Sequence, residues 1–239
     1  MIASTETLVF DHVHLSAPDQ EQAVDWYIRH LGARLAATPD RVLIGDRLWI
    51  LFYQADAAAP STDSAIEAIG FSYADANAKL KQLEAAGAKV IAPVRGLPGA
   101  LGAYRSGLVE DPFGVRIAVV QDPETLGFHH VRLRVPDPEA AFVWYLAAFG
   151  GERAKLKDRI DGLKYGRVWL LAEKGDGTPS AGHAIDHIAW RTTGLDVKAA
   201  ALKSKGIAFT SEPRTLNERT RISFLDGPAG ARIELLQRL

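Results

Sequence analysis

FDHVHLSAPDQEQAVDWYIRHLG, residues 10–32, returns as FHHVRLRVPDPEAAFVWYLAAFG at residues 128–150. Each copy runs from an alternating apolar stretch through a proline and an aspartate into apolar residues at helical spacing, and ends on glycine. His12 precedes Tyr27 by fifteen residues and Gly32 by twenty, and His130 precedes Tyr145 and Gly150 by the same intervals. Self-similarity of this kind decides the fold, because each copy is one supersecondary unit that must bury its apolar face against another. A second duplication lies between these copies and after them. IGFSYADANAKLKQLEAAGAKV at 69–90 parallels IAWRTTGLDVKAAALKSKGI at 188–207, with Gly87 matched to Gly206. DPFGVRIAVVQ at 111–121 parallels DGPAGARIELLQ at 226–237, if one extra residue is allowed before Arg232.

The chain therefore divides into two halves, residues 1–122 and 127–239, joined near QDPETLGF (121–128), and each half into two smaller units. Within a unit, a strand such as HVHLSAP leads to a helix capped by Asp19 or Asp137, and three short strands follow, in the first unit ARLAATP, RVLIGD and LWILFYQ. Gly32, Gly87, Gly150 and Gly206 stand where helices end. The expected class is α+β: four βαβββ units forming two domains with curved mixed sheets around a shared pocket. Adjacent units are expected to pair, and a swapped order, first with fourth and second with third, is the alternative. The loops at 54–65 and 173–183 lie between units, where extra length is tolerated.

Composition narrows the class of function. The 239 residues are 47% hydrophobic and 24% charged with a formal net charge of -1, which gives no electrostatic reason to expect nucleic acid or an anionic membrane as partner. The absence of cysteine and of a basic-apolar leader in MIASTETLVFDHV leads to the expectation of a cytoplasmic protein, and no stretch reaches the roughly 20 apolar residues of a membrane span.

Aligning the units exposes a set of donors in one half. His187 opens the strand DHIAWR where the first half has Ala68, and Glu234 interrupts the apolar strand RIELLQ where the first half has Ala118. A carboxylate in an apolar strand needs a cation or a metal to offset its burial. His130, His187 and Glu234 together are two imidazoles and one carboxylate, a set used by mononuclear non-heme iron. On this reading the C-terminal half carries the metal and the N-terminal half is a scaffold, while His129 faces away toward the helices. The bland reading pairs Glu234 with Arg191 or Arg232 and makes His130 an ordinary hydrogen-bonded strand histidine. In the swapped arrangement, His12 replaces His130.

The fourfold βαβββ grammar, the HV-x-L opening and the terminal G-x-R-I-E-L segment resemble the vicinal oxygen chelate superfamily, which includes glyoxalase I, bleomycin resistance proteins, epimerases and type I extradiol catechol dioxygenases. The resemblance spans residues 8–237. It implies two glyoxalase-like domains and a divalent metal: Fe(II) foremost, with Mn(II), Zn(II) or Ni(II) as alternatives. Glyoxalase-like isomerases carry a fourth protein ligand, and the matching position is read here as Leu170, which cannot ligate. Three ligands and a vacant first half resemble the extradiol dioxygenases, which implies a small aromatic diol and dioxygen as reactants. The chain departs from that family at Phe224, where a tyrosine is usual, and in TLNERTR, which lacks a histidine. His183, Asn217 and Arg221 are the expected catalytic substitutes, His183 as the base, and Arg191 is expected to hold an anionic substrate or intermediate. The alternatives are an isomerase, epimerase or lyase of the glyoxalase type, or a non-catalytic protein that binds an aromatic ligand with Trp169, Trp190 and Phe224; a homo-oligomer is left open.

Overall fold

A computed structural model describes residues 6–45, 48–96 and 104–239. Residues 1–5, part of the stretch read for a leader, lie outside the described residues. The repeats become four βαβββ units. The first comprises β1 (Val9–Ala17), α1 (Gln20–Leu31), β2 (Arg34–Leu35), β3 (Arg41–Ile44) and β4 (Leu48–Gln54). The second comprises β5 (Ile66–Ser72), α2 (Ala76–Ala85), β6 (Lys89–Gly96), β7 (Arg105–Glu110) and β8 (Arg116–Gln121). The third follows with β9 (Gly127–Val135), α3 (Pro138–Phe149), β10 (Glu152–Leu156), β11 (Ile160–Tyr165) and β12 (Val168–Lys174), and the fourth with β13 (Ile185–Arg191), α4 (Leu195–Ser204), β14 (Phe209–Asn217), β15 (Thr220–Asp226) and β16 (Arg232–Arg238). The expected caps form: Asp19 accepts from the Gln22 amide at 2.9 Å and Asp137 from the Ala140 amide at 3.1 Å. Gly32 closes α1 at φ 75°, a conformation that costs a residue with a Cβ more than it costs glycine.

The units pair in the swapped order. Sheet 1 runs β14-β15-β16-β13-β1-β4-β3-β2 and joins units one and four; sheet 2 runs β10-β11-β12-β9-β5-β8-β7-β6 and joins units two and three. The central seams are antiparallel, β1 with β13 and β5 with β9. This corrects two expectations. Units one and two do not share a sheet, nor do units three and four, and the sheets are not curved walls. Both sheets are mixed, but each is an open run of eight strands, with β14 and β2 at the edges of sheet 1 and β10 and β6 at those of sheet 2.

Connection lengths explain the order. Only residues 122–126 separate β8 from β9, so unit three is laid down in the sheet that unit two began. Residues 55–65 and 175–184 are longer, and they carry the chain from sheet 1 to sheet 2 and back. These two crossings run together, bridged at Ala59–His183 and Ser64–Thr178.

Consecutive units still touch through their helices. On α1, Trp26 donates to the Ala86 carbonyl at 2.9 Å and Tyr27 to the Asp111 carboxyl at 2.9 Å. Trp190, expected as a ligand-lining residue, is instead fully buried in the main core, stacked on Phe149 at 4.8 Å. One further detail of the repeat changes. The Asp111 amide bonds the Val115 carbonyl as the Gly227 amide bonds the Ala231 carbonyl, so Gly227 matches Asp111 and no extra residue is needed before Arg232.

Candidate metal centre

The seam between β1 and β13 builds the site. In a regular strand Asp11 and His12 point to opposite faces, but the pairing register breaks between Phe10 and His12 on β1, and again at Asp186 on β13. Each irregularity turns an aspartate beside the histidine that follows it. Asp11 Oδ1 accepts from His12 Nδ1 at 3.1 Å, and Asp186 Oδ1 accepts from His187 Nδ1 at 2.6 Å. Both aspartates are anchored in turn, Asp11 by Arg238 at 2.8 Å and Asp186 by Arg232 at 2.9 Å. A carboxylate on Nδ1 fixes the tautomer and aims the Nε2 lone pair at the site.

The two Nε2 atoms converge on Glu234 from β16, which pairs with Ala189 between them. Glu234 Oε2 lies 3.0 Å from His187 Nε2 and 3.4 Å from His12 Nε2. His12 Nε2 is buried without a hydrogen-bond partner, since its contact with Glu234 is misaligned for one. His14, two residues along the same strand, completes the group: His12, His14, His187 and Glu234 are all buried and offer donor atoms within 4.8 Å of one another. A buried set of three nitrogens and one oxygen within 4.8 Å of one another, with His12 Nε2 and His14 Nδ1 both buried and without a hydrogen-bond partner, fits a divalent first-row metal.

Electrostatics agree with that fit. Burial pushes the Glu234 carboxyl up, but the neighbouring His12 and His187 outweigh it and hold the pKa at about 2. Burial pulls His12 down, yet Asp11 and Glu234 raise it to about 9, so in the metal-free protein a proton occupies the space a metal ion would neutralise. His14 lies well below the ordinary imidazole value, through burial first and then repulsion from the neighbouring His187 and His12.

A pocket of about 250 Å³ opens over these donors. Trp49, Leu51, Ile222, Phe224 and Leu236 supply its apolar lining, and Arg41, Arg214, Arg232 and Arg238 its positive charge. The Arg232 guanidinium lies 4.4 Å from the centre of the Phe224 ring.

Of the expected ligands, the structure gathers His187 and Glu234 and sets His130 apart. His130 belongs to sheet 2, where its ring lies against the backbone of Gly70; a Cβ there would sit 2.1 Å from His130 Cε1. The corresponding partner of His12 is Ala189, whose methyl leaves no such resting place. His129 does not face away from His130 either. It sits at an irregularity in β9 equivalent to Asp11 in β1, so the rings meet with their Nδ1 atoms 2.9 Å apart, and His129 Nε2 reaches Asp122 at 3.3 Å. Leu170 packs in the main core, so it is not the position from which a fourth ligand would reach the site.

The expected catalytic residues are scattered. Asn217 lines the pocket. Arg191 stands behind it, 3.6 Å from Asp11. Arg221 is committed to Asp196 at the start of α4, and His183 lies in the crossing loop, 3.5 Å from Thr178 Oγ1. These placements follow from the irregular pairing at the seam and the swapped sheets, neither of which a regular alternation shows. Asp11 and Asp186 were legible only as the repeated Asp-His step of FDHV and IDHI, and His14 only as a second histidine on the face of His12.

The chain belongs to the Glyoxalase/Bleomycin resistance protein/Dioxygenase superfamily, whose family model matches residues 9–119 and 127–235. Among solved structures it is similar to glyoxalase I from Zea mays, with 19% sequence identity and a TM-score of 0.78 over 97% of this chain and 92% of that one. It is also similar to a Bacillus subtilis protein provisionally assigned as a dioxygenase, with 17% identity and a TM-score of 0.66 over 98% of this chain and 86% of that one. At these identities the likeness is one of fold. No curated protein matches the sequence. No helix among the described residues is long and apolar enough to cross a membrane.

Proposed function

We propose that the chain is a metal-dependent enzyme of the glyoxalase type, an isomerase, epimerase or lyase acting on a small anionic molecule through two adjacent oxygens. The observation that carries this reading is the number of donors. The dioxygenase expectation rested on three ligands and a leucine in the fourth place; His14 supplies a fourth donor from an unexpected direction, which matches the larger set expected of the isomerases.

His12, His14, His187 and Glu234 would hold a divalent ion, which would polarise neighbouring substrate oxygens and stabilise negative charge on them. The chain's own residues do the rest. Asp11 and Asp186 hold two imidazoles in one tautomer and orientation. Phe224, Ile222, Leu236 and Leu51 limit water around the donors, which strengthens every charge interaction inside. Asp11 and Asp186 already engage Arg238 and Arg232, and Asp40 engages Arg41, whereas Arg214 makes no ion pair among the described residues. Arg214 at the mouth is the charge left to attract an anionic group.

The test begins with metal analysis of protein purified without added metal. Reloaded protein is then incubated in deuterium oxide with small 2-oxo and 2-hydroxy acids and their thiol adducts, and exchange of the carbon-bound proton is followed by nuclear magnetic resonance. Exchange without oxygen uptake is the expected result. Oxygen uptake on an aromatic diol would restore the ring-cleaving reading, and failure to hold metal under any loading condition would leave a binding protein.

A further inference from the structure

The three histidines of the centre are not built alike. His12 and His187 each have an aspartate on Nδ1 and an arginine behind that aspartate. His14 has neither. Its Nδ1 is buried without a hydrogen-bond partner, and its ring is held by stacking on Tyr53, with centroids 3.6 Å apart and planes 17° from parallel. Tyr53 is 43% exposed and lines the same pocket, so the support of His14 is itself on the substrate's side of the site. A stacked ring constrains tilt, but it slides and rotates more readily than one pinned by a charge-assisted hydrogen bond.

Resting on the metal-dependent reading above, we propose that His14 is the exchangeable donor of the centre: His12, His187 and Glu234 hold the ion permanently, and His14 yields its place when a substrate brings two oxygens. The asymmetry follows from register. Asp11 and Asp186 occupy the irregular positions directly before His12 and His187, whereas Val13, directly before His14, lies in regular pairing and points into the core. Among the described residues no carboxylate bonds His14 Nδ1.

The experiment uses the full chain loaded with Co(II), whose visible absorption reports coordination, and acetohydroxamate as a probe with two adjacent oxygens. Metal affinity is measured by chelator competition for the wild type, His187→Ala, His14→Ala and His14→Gln. Loss of at least about 100-fold is expected for His187→Ala, and for both His14 variants less than the about tenfold that removal of a supporting carboxylate costs. In the wild type acetohydroxamate should change the Co(II) spectrum, and in His14→Ala it should bind more tightly, because no donor has to leave. A metal loss in His14→Ala and His14→Gln equal to that in His187→Ala, with folding retained by circular dichroism, overturns the proposal; so does weaker or unchanged hydroxamate binding. If His187→Ala also keeps its metal, the metal-centre reading fails first and takes this one with it.

Discussion

Sheet 1 and sheet 2 are the same scaffold with opposite contents. Both have an antiparallel seam with an irregularity on each strand, and the residues there correspond one to one: Asp11 with His129, and Asp186 with Glu67. Where sheet 1 has His12, His14, His187 and Glu234, sheet 2 has His130, Arg132, Ala68 and Ala118. Arg132 takes the place of a metal-facing histidine, and its Nε lies 3.2 Å from the buried Glu67. Even the outer support is inverted: Arg238 steadies Asp11 in sheet 1, while at the matching place Asp122 contacts His129. Tyr104, Leu156, Trp169 and Leu171 pack together on sheet 2, whereas a pocket opens over the donors of sheet 1. The fold thus supplies two equivalent frames, and side-chain chemistry alone decides which can hold an ion.

The largest expected effect separates the frames outright. His187→Ala and Glu234→Ala should each weaken metal binding by at least about 100-fold, since each removes a donor and leaves buried charge unmatched. His130→Ala should leave metal content unchanged. Metal analysis after dialysis against a weak chelator reads both, and equal losses in His130→Ala and His187→Ala would break the division between the sheets.

Next come the aspartates behind the donors. Asp186→Asn and Asp11→Asn keep shape but weaken the hold on the ring, and each should cost about 10–100-fold in metal affinity. Glu67→Gln, the corresponding change in sheet 2, should leave metal affinity untouched and lower stability, because Glu67 is buried against Arg116 at 3.0 Å and Arg132 at 3.2 Å.

A smaller effect depends on pH. His12 is raised from 6.5 to about 9 in the metal-free protein, so an incoming ion must displace its proton. Affinity should rise with pH up to about 9, by at most about tenfold per unit for one released proton, and then level off. The same shift stabilises the metal-free fold fully below pH 6.5, and that contribution is lost as pH rises through 9. Chemical denaturation of metal-free protein at pH 6 and pH 9.5 checks the sign. A stability that rises over this interval would contradict the assignment of the proton to His12.

Most of the fold was legible because the repeat carries it: the four units, their caps and their closing glycines all follow from local pattern. The pairing order was not, since an apolar strand face accepts either neighbour. What decides it is the short link at 122–126 against the longer crossings at 55–65 and 175–184, a contrast in the chain rather than in any strand. The site was legible in part for a related reason. His187 and Glu234 stand out against Ala68 and Ala118, whereas His12 and His130 are equivalent in the repeat and only the seam distinguishes them. Asp11 and Asp186 were hidden by strict alternation, which assigns them to the wrong face. The irregularities that reverse this leave no mark in hydrophobic pattern.

The smallest expected effect concerns the helices that tie consecutive units together. Tyr27 on α1 donates to the buried Asp111 at 2.9 Å. At the matching place Tyr145 on α3 faces Gly227, and its hydroxyl is buried without a partner. Tyr27→Phe should therefore destabilise the protein by about 1–3 kcal/mol, the cost of stranding a buried carboxyl group. Tyr145→Phe should be neutral or stabilising, since it removes a polar atom that has nothing to bond. Burial raises Asp111 to about 7 against the partial opposition of the Val115 and Phe113 amides and Tyr27, so the folded protein keeps a proton that the unfolded chain releases from about pH 4. Stability from this group falls as pH rises from about 4 to 7, and the penalty of Tyr27→Phe should be larger above pH 7, where a charged carboxylate loses its donor. Urea denaturation of both variants at pH 5.5 and pH 8 measures the difference, and equal penalties for Tyr27→Phe and Tyr145→Phe would show that the aspartate at 111 contributes nothing that the glycine at 227 lacks.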